Sequence, residues 1–133
     1  MAKELPLRAE IDEKHKWTLE DIYSSDNEWE EDFDKTKEML TELKGFQGNL
    51  VSSSTRLYEG LVLIMEIEEI VSRLYAYAHM RKDEDTANST YQALENRAQG
   101  IYNELISSTS FMNPEIIDLS TEELSKYLRK MMN

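Results

Sequence analysis

Cysteine is absent from this 133-residue sequence, so neither a disulfide framework nor a thiolate site can form. Glycine and proline are also scarce, with four and two residues respectively. Because these two residues mark most turns, their scarcity favours a few long helices over many short strands. A reducing, cytoplasmic location suits a chain without cysteine, and we predict that location.

Positive charge is in short supply as well. The sequence has 15 Lys and Arg residues against 27 Asp and Glu residues, which gives a formal net charge of −12. Nucleic-acid binding depends on clustered lysines and arginines, so we expect no nucleic-acid partner. No run of about eighteen apolar residues is present, and the opening MAKELPLRAEID lacks the apolar centre of a signal peptide. We therefore expect no membrane partner either.

The length suffices for one domain with a modest hydrophobic core. We predict a single helical domain over residues 1–133, in which residues 1–17 form an extended arm and residues 18–133 form helices. Thr18 is the predicted cap of a short first helix.

Local signals place a longer helix next and two short helices at the end of the sequence. Ser25 and Glu28 have capping-box spacing, and Gly45 is suited to follow the last turn. The apolar stripe of this helix consists of Trp29, Phe33, Thr36, Leu40 and Leu43. The two later helix starts are predicted at Asn113 with Pro114 and at Ser120 with Glu123.

Two long helices are predicted between these elements, at about 55–80 and 86–111. The first has an apolar arc that covers roughly half its circumference, which indicates contact with more than one neighbour. The second has one narrow apolar stripe, with Glu95 on its polar side. Because only a short charged segment separates them, they are expected to run antiparallel. The predicted fold class is all-α: a helical bundle built on this long antiparallel α-hairpin, with shorter flanking helices.

The charged segment between the long helices is the first candidate for a metal site. Three consecutive carboxylates, Asp83, Glu84 and Asp85, follow closely after His79. An EF-hand loop starting at Asp83 would need an oxygen ligand, a glycine and a glutamate where the sequence has Ala87, Asn88 and Leu94. Since all three positions fail, we interpret the segment as a helix corner. Arg81 and Lys82 would end one helix and the three acids would begin the next, with Asp83 or Asp85 as its cap.

The two histidines give no catalytic pattern. A His-Glu-x-x-His zinc helix is absent, because neither His15 nor His79 is followed by the required residues. No local arrangement suggests serine-based catalysis, and most tyrosines and tryptophans fall on predicted apolar faces. From the residues alone we therefore predict no catalytic, cofactor-binding or metal-binding residue in this chain, and no cofactor.

Two stretches resemble a known peptidase family. LPLRAEIDEKHKWTLEDIYSSDNEWEEDF resembles the opening of oligoendopeptidase F, a family of zinc metallopeptidases related to thimet oligopeptidase. LYAYAHMRKDEDTANSTYQAL is similar to a helical hairpin of the same family, and FMNPEIIDLSTEEL to its continuation. The matching residues of the first stretch are Pro6, Arg8, Glu10, Ile11, Trp17, Leu19, Asp21, Ile22, Tyr23, Ser25, Asp26 and Trp29. Those of the second are Tyr77, Ala78, Met80, Asp83, Glu84, Asp85, Thr86, Asn88, Gln92, Ala93 and Leu94.

The resemblance implies that this chain is the N-terminal helical domain of a larger zinc metalloendopeptidase that hydrolyses short peptides. The parent enzyme would bind zinc in a catalytic domain that this fragment lacks, so the fragment itself is expected to be inactive and to form part of a substrate-channel wall. Its implied partners are that catalytic domain and, for the parent, oligopeptide substrates. The apolar arc and the last helix also suggest a homodimer of the fragment. The alternative is a stand-alone helical interaction or scaffold module with no peptidase partner domain.

Overall fold

Helices dominate the computed structural model, which describes residues 4–132. The first three residues of the predicted arm and the final residue, Asn133, lie outside the described part. No strand occurs in the described part of the chain, and the all-α prediction is confirmed. The helices are α1 (Asp26–Lys44), α2 (Ser54–Glu84), α3 (Ser89–Thr109), α4 (Met112–Ile117) and α5 (Thr121–Met132). Within residues 4–132, no helix combines the length and the apolar character needed to cross a bilayer.

The arm is less extended than predicted. Single 3-10 turns form at Arg8–Glu10 and Glu13–His15, and a third at Leu19–Asp21. The side chain of Thr18 makes no capping bond to this third turn. Acidic side chains explain the first two turns, because they accept bonds from nearby backbone N–H groups, such as that of Leu7 to Glu10 at 2.7 Å.

The start of α1 follows the predicted capping pattern. Ser25 Oγ accepts a hydrogen bond from the backbone N–H of Glu28 at 3.3 Å, and the Glu28 carboxylate accepts one from the Ser24 N–H at 3.0 Å. The five residues of the predicted stripe are all buried. Gly45 ends the helix with ordinary right-handed geometry, at φ −65°. The glycine that needs its conformational freedom is Gly48, at φ +87° in the following turn.

The boundary between α2 and α3 corrects the predicted corner. α2 continues through Asp83 and Glu84, Asp85 follows its last turn, and the cap of α3 is Asn88, whose side chain accepts a bond from the Thr90 N–H at 2.9 Å. The prediction that the three acids begin the second helix is wrong. The negative end of α2 tolerates Glu84 because Arg81, one turn earlier, lies 2.7 Å from its carboxylate.

The core lies where α1 packs on α2 and α3. Trp29 of α1 is fully buried, and its indole Nε1 donates to the backbone carbonyl of Leu74 in α2 at 2.9 Å. Arg97 of α3 forms a bidentate ion pair with Glu30 of α1. Each fully buried large apolar side chain contributes about 1.5–3 kcal/mol, so this layer supplies much of the stability.

The last two helices bond to the segment before α2, and α5 also packs on α2 itself. α4 begins at Met112, not at the predicted Asn113 cap, and Pro114 lies in its first turn, where a missing N–H costs little. The Ser120 and Glu123 capping box forms as predicted, with two reciprocal bonds of 3.1 Å. The Tyr127 hydroxyl of α5 then donates to the carbonyl of Val51 at 3.0 Å.

Candidate functional site at the junction of the arm and α2

The two stretches that carry the family resemblance meet in space. The meeting point, called here the motif junction, consists of Arg8, Glu20, Tyr23 and Asp26 from the first stretch and Tyr77, Arg81 and Glu84 from the second. A guanidinium nitrogen of Arg8 lies 2.6 Å from a carboxylate oxygen of Glu84. The Tyr77 hydroxyl donates to Asp26 at 2.6 Å. The arm and the start of α1 are therefore fastened to the last two turns of α2.

Arg81 is the centre of the charged half of the motif junction. Its guanidinium nitrogens lie 2.7 Å from a carboxylate oxygen of Glu84 and 3.2 Å from one of Glu20. The guanidinium carbon, Cζ, lies 5.1 Å from the centre of the Tyr77 ring. Burial by itself would lower the pKa of Arg81, but its contacts with Tyr77, Glu84 and Glu20 outweigh burial and raise it. Arg81 therefore stays charged and acts as a fixed cation that joins the arm to α2.

Two tyrosines form the aromatic half of the motif junction. The rings of Tyr23 and Tyr77 pack edge to face, with centres 5.4 Å apart. Burial, and then the hydrogen bond to Asp26, raises the pKa of Tyr77 to about 12, and burial with the bond to Asp32 raises that of Tyr23 as well. Both phenols therefore keep their protons at neutral pH, so they serve as hydrogen-bond donors and not as bases.

A cavity of about 280 Å³ opens beside the motif junction, between the arm and α2. Trp17 lies at its edge and is 73% exposed, which differs from the expectation that most tryptophans are core residues. His15 lines this cavity together with Asp83 and Glu84, two acids of the charged segment. Its lining residues are Arg8, His15, Lys16, Trp17, Leu19, Met80, Asp83 and Glu84.

His79 belongs to a different cluster, between α2 and α3. Its Nδ1 lies 2.6 Å from Glu95 and its Nε2 lies 3.3 Å from Asp83, while Lys82 approaches Glu95 at 2.8 Å. Lys82, and then His79, lowers the pKa of Glu95 below its ordinary value. The sequence placed Glu95 on the polar side of its helix, and no local signal pointed to this pairing across helices. The cluster ties the end of α2 to the start of α3.

The described residues do not fit the zinc ion that the family resemblance implies. The two histidines lie in separate places, and both ring nitrogens of His79 face carboxylates, of which Glu95 also binds Lys82. Across residues 4–132, no group of three or more His, Cys, Asp or Glu side chains is arranged to hold a metal ion. The absence of catalytic, cofactor and metal residues from this chain stays a prediction.

Comparisons with known proteins agree on one family, although no protein-family model matches the chain. It is 39% identical over 127 residues to Oligopeptidase PepF of Bacillus subtilis. The alignment covers 96% of this chain and 19% of that protein. It is 30% identical over 124 residues to Group B oligopeptidase PepB of Streptococcus agalactiae, covering 93% of this chain and 21% of that protein.

A solved structure shares the fold. The crystal structure of oligoendopeptidase-F from Enterococcus faecium superposes with a TM-score of 0.72 and 27% sequence identity, over 80% of this chain and 21% of that one. The chain thus spans about one fifth of the length of the relatives that it matches. Its relatives are oligoendopeptidases, and the chain resembles the N-terminal domain of oligoendopeptidase F.

Proposed function

We propose that this chain is the N-terminal helical domain of an oligoendopeptidase F-like zinc metalloendopeptidase that hydrolyses short peptides in the cytoplasm. The observation that supports the proposal is the match of nearly the whole chain, in sequence and in fold, to one fifth of such proteins. The lack of cysteine fits the cytoplasmic location.

In this proposal the chain contributes shape and not chemistry. Its partner is the catalytic domain of the same enzyme, which would hold the zinc, and the substrates of the whole enzyme are oligopeptides. The chain would form part of the wall of the substrate channel, which limits access to the metal to short peptides. The motif junction supports a structural role, because its charged and phenolic groups are engaged with one another.

A domain replacement tests this function. In Bacillus subtilis PepF, this chain replaces the segment that it matches. Cleavage of a quenched fluorescent oligopeptide by the resulting chimera is then measured in the presence of zinc. We expect the chimera to cleave the peptide and the same enzyme without the segment to lose cleavage. A folded but inactive chimera, or a fully active enzyme without the segment, would overturn the proposal.

The predicted inactivity of the chain itself has a separate test. The purified chain is incubated with zinc and the same peptide, and we expect no cleavage. Cleavage that a chelator abolishes would show that the chain contains a metal site of its own.

A further inference from the structure

One side of the α2–α3 pair has no covering element among residues 4–132. α1 packs on the opposite side, through Trp29 and the ion pair of Glu30 with Arg97. α5 lies near the first turn of α2, where Met131 and Tyr58 line one groove. The uncovered side, called here the open face, consists of Met65, Glu68, Ser72 and Tyr75 of α2 and Gln99, Tyr102, Ile106 and Thr109 of α3.

The open face is one surface and not a scatter of single residues. On both helices its members recur at intervals of three and four, so they line one side of each helix. Two grooves, of about 330 and 300 Å³, run between the helices and share Tyr102. Met65 is 68% exposed, Ile106 54% and Tyr102 44%. Large apolar side chains gathered in this way mark a surface that another protein surface covers.

The chemistry of the open face is that of an interface. It combines apolar and aromatic side chains with polar ones, since Glu68 and Ser72 line the same groove as Tyr102 and Ile106. At one end, the His79, Lys82 and Glu95 cluster satisfies its own charges. An interface between two protein surfaces typically combines apolar and aromatic contacts with polar ones.

Charge and length together indicate the occupant. A second copy of the chain would bring another net charge of −12 to the same contact, which opposes self-association. In the relatives, by contrast, about four fifths of the polypeptide lies outside the matched segment. Domains of one chain pack through interfaces of this mixed polar and apolar kind.

We propose that the open face is where the rest of an oligoendopeptidase-like chain packs on this domain, with Tyr102 and Ile106 at the centre of the contact. The inference rests on the proposed function, and it assigns the contact to a particular side of the domain.

The test uses the PepF chimera and a matched pair of substitutions. Ile106→Glu places a charge in the proposed contact, and Ile117→Glu places the same charge on α4, where Ile117 is 77% exposed and outside the open face. Both variants are made in the chimera and in the isolated chain. In the isolated chain we expect both melting temperatures to stay close to that of the parent. In the chimera we expect Ile106→Glu to lower the melting temperature by about 5 °C and peptide cleavage at least tenfold, with Ile117→Glu like the parent.

The outcomes separate the two proposals. If the parent chimera cleaves peptide and Ile106→Glu behaves like Ile117→Glu, the assignment of the open face is wrong and the proposed function stands. If the parent chimera folds and is inactive, the proposed function fails and this inference fails with it. If light scattering shows that the active chimera dimerises and that Ile106→Glu abolishes the dimer, a second copy covers the face and the inference is overturned.

Discussion

The hydroxyl of Tyr77, near the end of α2, donates a hydrogen bond of 2.6 Å to the carboxylate of Asp26 at the start of α1. Both residues belong to stretches that resemble oligoendopeptidase F, yet they lie far apart in the sequence. The bond explains why those residue types occur there: a phenol and a carboxylate join the two helices. These two residues of the resemblance therefore fasten the fold.

Removing this hydroxyl tests its contribution to stability. We expect Tyr77→Phe to lower the free energy of unfolding by about 1–2 kcal/mol, because a part-buried bond to a carboxylate is lost. Tyr58→Phe is the control, since Tyr58 is 53% exposed. Urea unfolding of both variants gives the comparison, and equal stabilities would show that the bond contributes nothing.

The two tryptophans offer a second comparison. Trp29 is fully buried and hydrogen-bonded to the Leu74 carbonyl, whereas Trp17 is 73% exposed. We expect Trp29→Ala to cost about 3–5 kcal/mol and Trp17→Ala to change stability by less than about 0.5 kcal/mol. Thermal unfolding followed by circular dichroism measures both, and a large loss for Trp17→Ala would contradict the structure of the arm.

Substitution by alanine should have opposite effects on stability at two helical glycines. A Cβ atom on Gly60 would lie 2.5 Å from Leu50 Cδ1 and 3.1 Å from Phe46 Cδ1, and both of these neighbours are buried. Nothing lies within 4 Å of a Cβ atom on Gly100. We expect Gly60→Ala to destabilise by about 1–3 kcal/mol and Gly100→Ala to stabilise by about 0.5–1 kcal/mol. Urea midpoints of the two variants decide this, and stabilisation by Gly60→Ala would show that the contact of α2 with Leu50 is loose.

Glu95 should make the stability of the fold depend on pH. Lys82 and then His79 hold its folded pKa below the ordinary value of 4.5, so the paired carboxylate stabilises the fold above that value. This stabilisation is lost as the pH falls through the folded pKa. We expect the stability difference between the parent and Glu95→Gln to be fully present above pH 4.5 and to shrink as the pH falls below that value.

The control for this pH dependence is Glu122→Gln, because the Glu122 side chain is 82% exposed. Denaturation is measured at each pH for the parent and both variants. A difference between the parent and Glu95→Gln that does not vary with pH would refute the role of the carboxylate charge.

Features set by local sequence were predictable. The stripe from Trp29 to Leu43 follows from helical periodicity, and the Ser120 and Glu123 cap follows from spacing alone. The all-α class needed only these signals and the scarcity of glycine and proline.

Features that depend on pairing across space were not predictable. The end of α2 was misplaced because acids can begin a helix or, when a cation neutralises them, end one. Only the fold shows that Arg8 and Arg81 both reach Glu84. For the same reason Glu95 was assigned to the polar side of α3, although it pairs with His79 and Lys82.

The ion pair of Arg8 with Glu84 also has a consequence for the order of folding. α1, α2 and α3 pack on one another and hold most of the buried core residues. Arg8 finds its partner only in the last turn of α2, so the arm docks after that turn has formed. No residue of the turns Arg8–Glu10 and Glu13–His15 is buried, so we expect the arm to open first and its amide protons to exchange with solvent before those of the three helices.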